Sequence, residues 1–181
     1  MKQQSMQRPR IVVPRVVQDK TMAHIRSCGA RCEEGFVVWS GILTSKDLFV
    51  SSVLAPPCNG SEHFGGLTIS DEAMQYLADE MIRNGEALIA QVHSHPREAF
   101  HSETDNSYPL IHRLGFLSIV IPFFGRYGFN EFHRFRTYEY IENGRWRELD
   151  GSTKRKRFKL EGVSRWKPIR TMKSFIRARD N

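Results

Sequence analysis

The pattern of apolar and polar residues in the first half of the chain predicts two helices. Residues 16–28 space Val17, Met22 and Ile25 as one face of an amphipathic helix would, and Gly29 provides the stop. A second helix is predicted over 71–83, because Ser70 is a suitable N-cap, acidic residues occupy the first turn and Asn84-Gly85 provides the stop. We expect these helices to bury their apolar residues against a sheet.

Segments rich in β-branched and aromatic residues predict the strands of that sheet. Residues 36–45 and 48–55 predict an antiparallel hairpin that turns at a Ser-Lys-Asp sequence. Residues 86–93 and 115–124 are almost continuously apolar, which is typical of strands that are covered on both faces.

A further hairpin is predicted near the end of this region. Residues 131–141 alternate between apolar and polar types, and Asn143-Gly144 separates them from a possible partner strand at 145–149. The sum of these elements is an α/β domain with a mixed sheet and helices on its faces.

Charge divides the chain into two parts. The 181 residues carry a net charge of +7, but residues 151–181 alone hold eleven basic and two acidic residues. Residues 1–150 are therefore close to neutral, and we predict a folded domain there followed by a basic C-terminal segment over 151–181.

Other features of composition exclude several classes of protein. No apolar run reaches the roughly 18 residues of a membrane span, and the N-terminus lacks the apolar core of a secretory leader. Three cysteines are too few for a disulfide framework, so free thiols and a cytoplasmic location are expected.

The candidate chemistry follows the buried strand 86–93. His93 and His95 lie two residues apart at its end, so both imidazoles project from the same face. Pro96 ends the strand, and Asp105 follows nine residues later. Two imidazoles and one carboxylate suit a zinc ion whose fourth tetrahedral position stays open for water, which is the arrangement of catalytic sites.

Each half of this pattern also has an ordinary structural interpretation. A histidine pair can be polar residues at a strand end, and the run from Ser102 to Asp105 has the form of a helix-capping box. Their combination after a buried strand favours the metal site, and a helix start beside it would add positive potential.

The sequence HSHP followed by Ser-x-x-Asp resembles the JAMM motif of MPN-domain (JAB) zinc metalloproteases. That family also has an upstream glutamate seven residues before a glycine, and Glu34 and Gly41 have this spacing, although Val37 replaces the inner glycine. The resemblance, which spans about residues 10–149, implies an MPN/JAB-type (cytidine-deaminase-like) α/β fold and one zinc ion per chain. It also implies the following roles: His93, His95 and Asp105 as zinc ligands, Glu34 as general base and Ser102 as oxyanion partner.

Two assignments within the resemblance leave alternatives open. Six residues, rather than the usual seven, separate His95 from Ser102, so the loop over the metal is shorter. Glu33 competes with Glu34, because a slip of one residue in strand register would exchange them. In the loop before the second helix, His63 and Phe64 are weak candidates for substrate contact, with an ordinary surface loop as the alternative.

The resemblance further implies an isopeptidase or peptidase that cuts after the C-terminal tail of a ubiquitin-like modifier. The single-domain form is similar to prokaryotic JAB proteins, which are often encoded beside ubiquitin-like, activating and conjugating proteins, sometimes in anti-phage systems. Such proteins are therefore the expected partners.

Other functions fit the sequence less well. A zinc deaminase needs His-x-Glu followed by Pro-Cys-x-x-Cys; His93-Ser94-His95 lacks the glutamate, and Pro57-Cys58 has no second cysteine at that spacing. A scaffold that has lost its ligands would show a broken motif. Nucleic-acid binding through the basic run 154–159 is a third interpretation, against a solvated or partner-docking segment. His101 fits no ligand spacing and is expected near the cleft or at the surface.

Overall fold

The computed structural model describes residues 8–56, 70–102, 105 and 110–162. Within them the chain forms one mixed sheet with helices on its faces. Its strands are β1 (Arg10–Val13), β2 (Phe36–Leu43), β3 (Asp47–Leu54), β4 (Ala87–Ser94), β5 (Leu117–Ile121), β6 (Arg136–Glu142), β7 (Arg145–Glu148) and β8 (Phe158–Leu160). The α-helices are α1 (Arg15–Gly29), α2 (Asp71–Asn84) and α3 (Gly151–Arg157), and 3-10 helices span Phe123–Gly125 and Phe129–Arg134.

The strand order is β7-β6-β5-β4-β2-β3-β1-β8, which places β4 near the middle of the sheet. Strand β4 is antiparallel to β2 and parallel to β5. Every residue from Leu88 to Ser94 is buried, which confirms the expectation of a strand covered on both faces. The hairpins β2–β3 and β6–β7 also confirm the sequence-based expectations, and Asn143 and Gly144 adopt the positive φ angles of a tight hairpin turn.

Apolar side chains form a core on each face of the sheet. On one face, Val17, Met22 and Ile25 of α1 pack with Val37, Trp39 and Val92. On the other face, Leu77 of α2 packs with Phe36, Val38, Leu88 and Tyr140. Helix α2 is fixed at both ends as expected, because Ser70 Oγ accepts a hydrogen bond from Ala73 N and Gly85 closes the helix with φ 63°.

One predicted strand is too long. Residues 131–134 were expected in the strand 131–141, but the 3-10 helix Phe129–Arg134 occupies them and β6 starts only at Arg136. Phe129, Phe132 and Phe135 explain the difference, since all three are buried in one aromatic cluster. A spacing of three matches one 3-10 turn, whereas a strand would direct alternate phenylalanines to opposite faces. Strand β5 likewise ends at Ile121, and the predicted strand residues Phe123 and Phe124 lie in a 3-10 helix.

The basic C-terminal segment does not begin as a solvated tail. Strand β8 pairs with β1, and α3 before it buries Lys154 and Arg157. The Lys154 ammonium donates to the carbonyl oxygens of Phe132 and Phe135 at 3.3 and 2.5 Å, which gives the buried charge polar partners. Residues 163–181 lie outside the described residues, and the domain boundary at residue 150 stays a prediction.

Cys28 and Cys32 are free thiols, as expected. Cys58, His63 and Phe64 lie outside the described residues, so their predicted roles stay predictions. No helix in the described part of the chain is both long and apolar enough to cross a membrane.

Candidate metal centre

The end of β4 presents two imidazoles on one face of the sheet. His93 pairs with Phe36 of β2, whose side chain belongs to the core beneath α2. Two residues further on, His95 N donates to Ile121 O at 2.9 Å and so continues the pairing with β5. Because residues two apart in an extended chain point the same way, both rings project towards the same side, with centroids 5.1 Å apart.

Asp105 completes a cluster of three potential metal ligands. Its Oδ1 lies 3.3 Å from His93 Nε2 and its Oδ2 lies 3.9 Å from His95 Nε2. One ligand atom from each residue falls within 4.8 Å of the other two, and all three side chains are largely buried. Among the described residues, this is the one group of His, Cys, Asp or Glu side chains arranged to hold a metal ion.

The hydrogen bonding of His93 fits a metal ligand. Its Nε2 is buried, and no described residue forms an acceptably aligned hydrogen bond with it, although Asp105 is within ion-pair distance. A buried ring nitrogen without such a bond is costly unless another partner is present. A divalent cation between the three ligand atoms would be that partner, and the imidazole and carboxylate donors are those that zinc accepts.

Electrostatics keep the ligands in the protonation states that a cation requires. Burial, reinforced by the neighbouring His93, lowers the pKa of His95 from 6.5 to about 4, so its ring is neutral at pH 7. Burial opposes ionisation of Asp105, but the His93 ring and the Ser102 hydroxyl and amide outweigh it and hold the pKa of that carboxyl well below its usual range. A neutral imidazole and an ionised carboxylate are the metal-binding forms.

Ser102 orients Asp105 directly. The amide and hydroxyl of Ser102 both donate to Asp105 Oδ2, at 2.8 and 2.7 Å, and Asp105 N donates back to Ser102 Oγ at 3.1 Å. This is the hydrogen-bond pattern of a helix N-cap, as the Ser-x-x-Asp spacing indicated. The same residues therefore form the cap and lie at the candidate metal site, so the two interpretations are compatible.

The register of β2 against β4 distinguishes Glu34 from Glu33. Ser94 N donates to Gly35 O at 3.0 Å, and Gly35 N donates to Ser94 Oγ at 2.9 Å, so the pairing extends beyond Phe36 and His93. Continued by one residue, this register would place Glu34 across from His95, on the face that carries the imidazoles. Glu34 is exposed.

Glu33 has a different environment. Its carboxylate accepts a hydrogen bond from Arg31 Nε at 2.8 Å, and its side chain is 54% exposed. Its amide donates to Cys28 O at 3.1 Å, so Glu33 belongs to the turn that follows α1. The geometry therefore favours Glu34 as the base over its neighbour, and the role itself stays a prediction.

Several polar residues around this site have no motif to identify them. Ser94, the middle residue of the histidine pair, is fully buried and bonded to Gly35. Gln91 and Ser118 are buried polar residues inside strands that are otherwise apolar, and they hydrogen-bond to each other. Each is an isolated polar residue in an otherwise apolar strand. Because a buried polar group is costly unless it has a partner, this pattern could have identified them from the sequence.

His101 and Phe100 extend the site along the same loop. His101 is half-buried and stacks on Tyr138, with ring centroids 4.2 Å apart. Phe100 contacts the His95 ring edge-on with centroids 4.7 Å apart, and it is 55% exposed. His101 thus lies beside the candidate site without belonging to its three ligands, and Phe100 was not anticipated.

Comparisons with known proteins agree with this geometry. The chain is 29% identical over 141 residues to "Probable metalloprotease y4jG" of Sinorhizobium fredii (strain NBRC 101917 / NGR234), an alignment that covers 77% of this chain and 86% of that protein. That relative is named a metalloprotease. No protein-family model matches the chain.

A solved structure shows a similar fold. The solution structure of protein DSY2949 from Desulfitobacterium hafniense superimposes with a TM-score of 0.60 over 83% of this chain and 92% of that one. The two sequences are 17% identical, so this similarity concerns the fold alone.

Proposed function

We propose that the protein is a metal-dependent peptidase whose ion is held by His93, His95 and Asp105. The main observation in support is that three largely buried ligand atoms lie within 4.8 Å of one another, at the end of the buried strand β4. Similarity to a protein named a metalloprotease supports the same function independently.

Zinc is the proposed ion because two imidazoles and one carboxylate are a common ligand set of catalytic zinc. A zinc ion there would supply a Lewis acid and lower the pKa of water to about 7. The chain's contribution is to keep His95 neutral and Asp105 ionised at neutral pH, as burial and the Ser102 hydrogen bonds do.

Glu34 is proposed to move the proton. It lies two residues before Phe36, the register partner of His93, and it is exposed to an incoming substrate. A carboxylate there accepts the proton of the attacking water and then delivers it to the leaving amine, which breaks the C–N bond. The leaving amine is a lysine ε-amine if the bond is an isopeptide.

Ser102 is proposed to stabilise negative charge on the carbonyl oxygen of the substrate. Its hydroxyl lies beside the ligand cluster, at 2.7 Å from Asp105 Oδ2, and would turn its one proton to the substrate oxygen while the Ser102 amide keeps its bond to Asp105. A single hydrogen-bond donor aimed at a developing oxyanion is typically worth about 3 kcal/mol of barrier.

For the substrate we propose the extended C-terminal tail of a ubiquitin-like modifier, cut from a conjugate or a precursor. This finer assignment rests on the JAMM-like pattern of Glu34, the HSHP sequence and Ser-x-x-Asp. On the same basis, we propose activating and conjugating proteins of a bacterial modification system as partners. We also propose a role in anti-phage defence.

A cleavage assay tests the proposal. Zinc-loaded protein is incubated with fusions of candidate ubiquitin-like proteins to a reporter, and the products are identified by mass spectrometry. Glu34→Gln removes the proposed base, and Glu33→Gln is the matched control because the two residues are adjacent. A chelator removes the ion from the unaltered protein.

We expect cleavage after the last residue of the modifier, lost with the chelator and in Glu34→Gln and kept in Glu33→Gln. Loss in Glu33→Gln alone would show that the register assignment is wrong. Cleavage that survives the chelator would contradict a metal-dependent reaction.

A further inference from the structure

We infer that Gln91, Ser118 and His101 are positioning residues that hold Ser102 and Asp105 against the two histidines. The inference rests on the proposed metal site. It adds a polar clamp, made of these three side chains, that the sequence motif does not contain. The clamp fixes the chain on both sides of the Ser102–Asp105 segment.

The base of the clamp is a hydrogen-bonded pair on the central strands. Gln91 and Ser118 are 5% and 0% exposed, and they are register partners on β4 and β5. Gln91 Nε2 donates to Ser118 Oγ at 3.2 Å. Two buried polar groups in apolar strands weaken a core unless each is satisfied, so the pair needs partners beyond itself.

One partner lies immediately before Ser102. His101 Nε2 is 3.1 Å from Ser118 Oγ, and its ring stacks on Tyr138 at an interplanar angle of 17°. Trp146 packs edge-on against the same ring, with centroids 5.0 Å apart. The imidazole is therefore held by one hydrogen bond and two aromatic contacts, which fixes the chain at the residue preceding the cap.

The other partner lies after Asp105. Leu110 N donates to Gln91 Oε1 at 3.1 Å, so the same amide that bonds to Ser118 also bonds to the returning chain. Both ends of the segment from 101 to 110 are thus attached to one buried pair. Leu110 also packs against the core beneath α2, which adds an apolar contact at this end.

The position of Gln91 connects the clamp to the metal ligands. Gln91, His93 and His95 are alternate residues of one extended strand, so their side chains share a face of the sheet. Asp105 reaches the cluster from outside the sheet, whereas the histidines are fixed by the sheet. The clamp therefore sets the distance between Asp105 and the two histidines.

Metal affinity provides the test. Ser118→Ala removes the hydroxyl that His101 and Gln91 share, and Gln91→Met keeps the length of the side chain without its amide. Because groups that orient metal ligands typically contribute about 10- to 100-fold in affinity, we expect each variant to bind zinc and cobalt(II) that much more weakly. Competition with a chromophoric chelator gives the affinity, and the cobalt(II) absorption bands report the ligand geometry.

Thr21→Val is the matched control. Thr21 Oγ1 is fully buried and accepts a hydrogen bond from Trp39 Nε1 at 2.9 Å, on the face of the sheet away from the histidines. This variant loses a buried hydroxyl as Ser118→Ala does, so its thermal stability falls too. Its metal affinity and cobalt(II) spectrum should equal those of the unaltered protein.

Hydrogen exchange separates the clamp from the metal site. In metal-free protein, amides of residues 101–110 should exchange faster in Ser118→Ala and Gln91→Met than in Thr21→Val. Unchanged exchange and unchanged affinity in both clamp variants would overturn the inference. If the unaltered protein binds no metal, the proposed function fails, and the inferred positioning of a metal ligand fails with it.

Discussion

Ser102 and Asp105 hydrogen-bond to each other in both directions. Two donors of Ser102 hold Asp105 Oδ2, at 2.7 and 2.8 Å, and the Asp105 amide returns a bond of 3.1 Å to the hydroxyl. The carboxylate is thus oriented towards His93 by a residue three positions earlier in the chain. Ser102 therefore has two functions in this account, orienting a metal ligand and stabilising charge on the substrate.

Substituting Ser102 should separate these functions. We expect Ser102→Ala to weaken zinc binding by about tenfold, because Asp105 loses a hydrogen bond that orients it. At saturating zinc, kcat should still fall about 100-fold, because the oxyanion loses a donor. Ser102→Thr keeps a hydroxyl and should retain most of both properties. Zinc titration and steady-state kinetics measure the two effects, and an unchanged kcat in Ser102→Ala would exclude the oxyanion role.

Glu34 should affect the rate without affecting the ion. We expect Glu34→Gln to lower kcat by about 100-fold or more, since the amide cannot accept the proton. Zinc affinity should stay unchanged, because the three ligands and the Ser102 cap remain. A parallel loss of zinc would instead show that Glu34 is itself a ligand.

Neutral His95 makes the metal-free protein sensitive to acid. Burial holds the pKa of His95 at about 4, below its ordinary 6.5, so the unfolded chain binds the proton first as pH falls. The free energy of unfolding should therefore decrease as pH falls from 6.5 to 4. Chemical denaturation with a chelator present measures this slope, which should be shallower in His95→Gln. Equal slopes would show that His95 is not held neutral by the fold.

Lys154 should leave a dependence of the same sign at alkaline pH. Burial, with Arg136 nearby, lowers the pKa of its ammonium from 10.5 to about 8. Between those values the unfolded chain binds more protons than the folded one, so stability should rise with pH. The rise should exceed that of Lys154→Met when both are measured by chemical denaturation. A larger rise in the variant would contradict burial of this lysine.

The spacing of apolar residues and the helix-capping residues predicted most of the helices and strands near the site. The apolar run 86–93 became the central strand, and Ser70 and Gly85 bound the second helix where expected. These succeed because burial on both faces and helix capping are local properties of a sequence. The adjacent positions of His93 and His95 followed directly from strand alternation.

Local sequence patterns could not predict features that depend on residues far away in the chain. The run 131–134 alternates as a strand would, but an aromatic cluster contributed by three parts of the chain selects the 3-10 helix. Lys154 belongs to a basic run that looks solvated, yet its ammonium donates hydrogen bonds to the backbone carbonyls of Phe132 and Phe135, which lie far away in sequence. The sequence showed Gln91 only as a polar residue within an apolar strand, and it did not predict the hydrogen bonds that this side chain forms.

Metal stoichiometry tests the central claim most directly. Purified protein is dialysed against zinc, and its metal content is measured beside Asp105→Asn, His95→Ala and the control His112→Asn, a histidine that stacks on Tyr140. The account expects one zinc per chain in the unaltered protein and in His112→Asn, and a large loss in the other two. A chain that takes up no zinc, or holds it equally well without Asp105 and His95, would contradict the account.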